Sequence, residues 1–144
     1  MKKLILIPIV CLVCSLSFSQ VPDSTKNIFG TWKINEKSIE PLSQVQLEQL
    51  KKANPAMADQ INIETIKDGL KQATYLYNAD GTYLFKSSGQ QDAGKWKLAD
   101  DKKSIICKND ASGRETIRVI IAVSAKRVML KLTNGVTVTY DPVK

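Results

Sequence analysis

From Gly30 to Ile39 the chain alternates, with Trp32, Ile34, Glu36 and Ser38 on one face and Thr31, Lys33, Asn35 and Lys37 on the other. That period is the mark of a strand with one buried face. The period then lengthens. Ser43 followed by Gln46 is a capping-box pattern, and Leu47 and Leu50 recur at helical spacing. Asn54-Pro55 ends that helix, and Pro55 opens a second one along which Met57, Ile61, Ile66 and Leu70 form an apolar stripe. Residues 41–73 are therefore expected to be a two-helix insertion whose stripe covers the rim or one opening of the surrounding sheet.

The remainder reads as strands joined by short turns. Thr74-Tyr75-Leu76-Tyr77 and Thr82-Tyr83-Leu84-Phe85 flank Asn78-Ala79-Asp80-Gly81, a hairpin turn closed by a glycine. Gly94 to Leu98 alternates again, and Asp100-Asp101-Lys102 turns it into a strand from Lys103 to Lys108. Glu115 to Val123 is rich in β-branched residues; Val128, Leu130 and Leu132 follow, and Asn134-Gly135 leads into Val136, Val138 and Tyr140. One strand before the insertion and seven after it make eight. The edges of such a sheet are exposed unless the first and last strands pair. The expected fold is all-β: an eight-stranded antiparallel up-and-down barrel with two helices between strands 1 and 2.

The amino terminus changes what is available to that barrel. Lys2 and Lys3, the apolar run from Leu4 to Cys14 and the small residues around Ser17 to Ser19 read as a signal peptide over residues 1–19. The run is shorter than the ~20 apolar residues a membrane span needs. Export to the periplasm or the medium is expected, with cleavage before Gln20, a lead-in over 20–27 and one domain over 28–144 in a chain of 144 residues. Loss of Lys2 and Lys3 lowers the net charge from +7 to +5. The remaining basic residues, Lys33, Lys37, Lys86, Lys95, Lys97, Lys108, Arg118 and Lys131 among them, are scattered singly as on solvated strand faces, so no nucleic-acid partner is expected.

Of three cysteines, Cys11 and Cys14 leave with the leader, and Cys107 is expected as a buried thiol with no internal disulfide partner. No histidine occurs, which removes the usual general base, the commonest metal ligand and the Ser-His and Cys-His pairs. The adjacent Asp100 and Asp101 sit in a turn and point apart, and only Glu115 offers a second inward carboxylate beside Glu36. Neither catalysis, nor a metal site, nor a cofactor is expected.

Gly30-Thr31-Trp32, the hairpin from Tyr75 to Tyr83 and Gly94-Lys95-Trp96 with Leu98 occur in an order that resembles a bacterial lipocalin-like domain of the calycin type, across residues 28–142. The leader resembles export signals of the Bacteroidetes type. Lipocalins stack an arginine from near the chain's end over the first-strand tryptophan, whereas this chain has no arginine after Arg127. The resemblance implies a barrel that holds a small hydrophobic molecule.

On the inward faces alternation places Trp32, Ile34, Glu36, Tyr75, Tyr77, Tyr83, Phe85, Trp96, Leu98, Ile105, Cys107, Ile117, Val119, Ile121, Leu130, Val138 and Tyr140. Trp32 and Trp96 are expected to plug one end. The candidate ligand-binding residues are Glu36, Tyr75, Tyr77, Tyr83, Phe85 and Tyr140, a set of phenols and one carboxylate that would give oriented polar anchors inside an apolar wall. The expected partner is a small apolar ligand in a monomer. The alternative is a side-chain-filled barrel whose helical stripe around Leu47, Leu50, Ile61 and Ile66 docks an envelope protein or glycan.

Overall fold

A computed structural model describes residues 24–144; the leader assigned to residues 1–19, with Cys11 and Cys14, lies outside the described residues. The element order is a 3-10 turn Ser24–Ile28, strand β1 Gly30–Ile34, helix α1 Glu36–Ala53, a 3-10 turn Pro55–Gln60, helix α2 Ile63–Gln72, and strands β2 Thr74–Tyr77, β3 Thr82–Ser87, β4 Gln90–Leu98, β5 Ser104–Asn109, β6 Glu115–Ser124, β7 Arg127–Lys131 and β8 Thr137–Pro142. Every strand pairs antiparallel with its sequence neighbours, and β1 pairs with β8 through Trp32 opposite Pro142 and Ile34 opposite Tyr140. The eight strands thus close a barrel with no free edge.

The first strand is shorter than its alternation suggests. Asn35 ends it, because its side chain accepts from the Lys37 backbone N–H and caps α1. Asn35 also donates to Asp141 at 2.6 Å, and the Ser38 hydroxyl accepts from the Thr139 N–H, so the helix start is pinned to β8. The insertion therefore begins at Glu36 rather than at residue 41. Ser43 is not a cap: it lies inside α1, buried, with its hydroxyl bonded back to the Glu40 carbonyl. The second helix likewise starts later than Pro55 suggests. Pro55 opens a 3-10 turn on which Met57 is exposed, and Asn62 caps α2 by accepting from the Glu64 N–H. Lys67 ties the two helices together through Glu40 at 2.7 Å.

The two ends of the barrel differ. At one, Ile28 of the 3-10 turn is buried beneath Trp32, whose indole N–H donates to the Ile28 carbonyl at 2.8 Å. Trp96 donates to the Asn78 carbonyl at 3.0 Å, and Phe29 and Tyr77 meet its ring edge-to-face. This end is the tryptophan plug that alternation suggests, and the described part of the lead-in belongs to it as an ordered turn. At the other end α1 and α2 lie across the opening, with Ile39, Leu42 and Leu70 buried against the sheet.

One strand faces the opposite way from its expected orientation. Ile117, Val119 and Ile121 are 49%, 42% and 52% exposed, on the outside of the barrel. Residues directly opposite in an antiparallel pair share a face. The pairing of β5 with β6 sets Ile105, fully buried, opposite Arg118 and Cys107 opposite Thr116. Arg118 therefore points into the barrel, and its neighbours Ile117 and Val119 point out. Beyond Ile120 a bulge absorbs Ile121 and returns the strand to register at Val123 opposite Val128.

Candidate functional site

Five of the six candidate residues converge inside the barrel. Tyr75 and Tyr77 on β2 face Phe85 and Tyr83 on β3 in direct register, and Tyr140 enters from β8. Tyr75 packs on Phe85 with ring centroids 4.7 Å apart and meets Tyr140 edge-to-face at 5.3 Å. Glu36 is not among them. The strand stops two residues before it, and its carboxylate stands exposed in the first turn of α1, where the helix dipole favours an acidic residue.

Two charged side chains inside the barrel escaped the sequence reading. Arg118 crosses the interior from β6, donates from Nη1 to the Tyr77 hydroxyl at 2.6 Å and lies over the Tyr75 ring with its guanidinium carbon 4.9 Å from the centroid. Asp92 on β4 accepts from the Tyr83 hydroxyl at 3.3 Å and from the Asn109 side-chain amide. No ion pair joins them: among the described residues the salt bridges involve only Lys67, Lys71 and Arg127 as cations. Asp92 was missed because β4 begins at Gln90, four residues before the alternation becomes visible at Gly94. Arg118 was missed because apolar residues occupy both faces of β6. The signal that finds it is the hairpin after Asn109, whose N–H bonds to the Arg114 carbonyl and so fixes which residues stand opposite Ile105 and Cys107.

Burial sets the titration of these groups. It pushes the Tyr75, Tyr77 and Tyr140 phenols above their ordinary range, with the Arg118 charge working in the other direction. Burial, and then the Asp92 carboxylate, push Tyr83 up to about 12. The Cys107 thiol is likewise raised by burial, which leaves it protonated and unreactive at neutral pH. Burial opposes the charge on Arg118, but the surrounding Tyr77, Tyr140 and Tyr75 phenols, once ionised, hold its titration above the usual arginine range.

These four residues are all the tyrosines in the chain. A buried phenol keeps its proton to higher pH when folded than when unfolded, so the unfolded state binds fewer protons above about pH 10. The stability from these phenols is whole below that pH and falls as pH rises through 12. Ultraviolet phenolate absorbance at about pH 11 should accordingly be several-fold lower for the native protein than for protein unfolded in urea. Equal absorbance would mean that the rings reach solvent.

The tyrosine and phenylalanine wall opens toward the helices. A cleft of about 260 Å³ lies under α2, lined by Ile66, Leu70 and Ala73, by Tyr75 and Phe85, and by the polar Gln46, Thr65, Ser87, Ser88 and Gln90. Ser87 closes its lip by donating to the Gly69 carbonyl at 2.8 Å. Tyr75 and Phe85 point inward yet are only half-buried, because the cleft reaches them.

Fold and site together define a closed eight-stranded antiparallel β-barrel, plugged at one end by tryptophans and roofed at the other by two helices over a polar-centred aromatic interior. Among solved structures the chain is similar to a DUF4847 family protein from Bacteroides vulgatus, at 12% identity over 80% of this chain and 93% of that one, with a TM-score of 0.48. No protein-family model matches the sequence, and no curated protein does.

Proposed function

We propose that this chain is an exported, lipocalin-like binding protein that holds a small hydrophobic molecule inside its barrel, entering under α2. The observation that carries this reading is the asymmetry of the barrel. One end is sealed by Ile28, Trp32 and Trp96, while the other leaves a cleft of mixed lining that runs from Leu70 and Ala73 down to Tyr75 and Phe85. An eight-stranded barrel is the size at which the interior either fills with side chains or keeps room for one small ligand. Half-buried inward residues, Tyr75, Phe85 and Arg118 among them, favour the second case.

Function is binding rather than catalysis in this reading, and the protein acts as a monomer without a cofactor. Export, which the amino-terminal pattern supports, places it in the periplasm or the medium. The other reading, an interaction module, draws on the outward strip of Ile117, Val119 and Ile121 rather than on the helical stripe. On that stripe Leu47, Ile61 and Ile66 are half-covered, and Leu50 is exposed.

A neutral hydrophobic fluorophore, N-phenylnaphthylamine, tests the binding reading. It should bind saturably at one site per chain, and Phe85→Trp, which narrows the throat, should weaken binding by about tenfold while leaving the far-ultraviolet dichroism unchanged. Absence of a saturable signal would favour the interaction module.

A further inference from the structure

The guanidinium of Arg118 is the group that packing alone does not explain. Removing a charge from water is costly unless it is paired and hydrogen-bonded. Arg118 makes one hydrogen bond, to Tyr77, and stacks on Tyr75; no carboxylate lies within ion-pair distance of it among the described residues. The inward carboxylate, Asp92, is engaged by Tyr83 and Asn109 instead. A guanidinium carries five N–H donors. No fully buried side-chain nitrogen or oxygen among the described residues lacks a partner, so the donors of Arg118 that make no bond must border open space. The Tyr77 hydroxyl and the Tyr75 ring flank it. Arg118 retains accessible surface although it is surrounded by the buried Tyr77 and Tyr140 and by Tyr75.

Tyr75 is shared between Arg118 and the cleft under α2. Its ring face supports the guanidinium, and the same residue lines the cleft with Phe85, Leu70, Ile66 and Ala73. A molecule entering under α2 thus meets the Tyr75 and Phe85 rings, with a fixed positive charge over the Tyr75 face. The Tyr77 hydroxyl accepts from Arg118 and so holds the guanidinium in place over Tyr75.

We propose that the ligand is an amphiphile with a carboxylate head, which sits on the Arg118 guanidinium while its apolar tail runs past Tyr75 and Phe85 toward the cleft under α2. This rests on the interior-binding reading above and adds the charge of the ligand to it. A carboxylate matches the fork of an arginine, and the hydrogen bonds it forms are charge-assisted and shielded from water. The tail matches the Tyr75 and Phe85 rings, which line the cleft beside Arg118.

The experiment displaces bound N-phenylnaphthylamine from the mature protein with decanoate, with decanol and with acetate. Wild-type protein should release the fluorophore to decanoate at a concentration at least about tenfold lower than to decanol, and acetate should release none. Arg118→Met should bring decanoate to the level of decanol and leave decanol within about twofold of its wild-type value. Arg118→Lys, which keeps the charge but loses the fork, should fall between them. Equal displacement by decanoate and decanol in wild-type protein overturns the carboxylate head, and needs no variant to be seen. So does a decanoate affinity untouched in a folded Arg118→Met protein. Displacement by acetate as strong as that by decanoate overturns the role of the tail. If the fluorophore does not bind at all, it is the interior-binding reading that fails.

Discussion

Gly94→Ala should cost at least about 3 kcal/mol, enough to leave much of a marginally stable domain unfolded. A Cβ built on Gly94 would stand 2.0 Å from the Lys108 carbonyl oxygen and 2.9 Å from the Tyr83 ring. The nearer atom is backbone of the paired strand and cannot rotate away. The physical origin is the closing of the barrel: β4 comes so close to β5 at this point, and Tyr83 covers it from β3, that only a residue without a side chain fits. Urea denaturation monitored by tryptophan fluorescence measures the loss. A midpoint within about 0.5 kcal/mol of wild type would mean that the strands can part without penalty, and the packing of Tyr83 over the sheet would be wrong.

Arg118→Met should act in the opposite direction and stabilise the ligand-free protein by about 1–2 kcal/mol. An uncompensated internal charge is removed, and a flexible apolar chain of similar length takes its place between Tyr75 and Tyr77. Loss of a hydrogen-bond partner for the Tyr77 hydroxyl offsets part of the gain. A residue that weakens its own fold while presenting donors to an interior space is the pattern expected of a binding group, since sites are commonly kept at a cost in stability. The thermal midpoint in the absence of ligand reports the change. Destabilisation by more than about 1 kcal/mol would identify the guanidinium as a strut for the two tyrosine rings instead.

The hairpins were legible because their turn chemistry and strand alternation agree. Gly81 and Gly135 have φ of +81° and +84°, a conformation that residues with a side chain adopt at a penalty, and each sits where the turn patterns place it. The convergence of Tyr75, Tyr77, Tyr83, Phe85 and Tyr140 followed from the same alternation, since each lies on a strand with one clearly apolar face. Glu36 failed for a local reason: a polar Asn35 that reads as an outward strand residue is also a strong helix cap, and its side-chain bond to the Lys37 N–H settles the competition. The polar centre of the site was not legible. Arg118 lies in a run where Ile117, Val119, Ile120 and Ile121 make either face a plausible interior, and Asp92 lies in a stretch whose polar residues hide the strand.

Local composition was therefore enough for the number and order of the strands, the placing of two helices between the first two of them but not where those helices start, the turns, and the tryptophan plug. These depend on period, capping and turn residues, which act between near neighbours in the chain. The direction in which β6 faces, and with it the presence of a cation at the centre of the barrel, depends on pairing with β5 and β7 and on one bulge at Ile121. A shift of one residue in such a pairing exchanges the inner and outer faces. Where both faces of a strand are apolar, burial favours neither register, so the neighbouring strands make the choice.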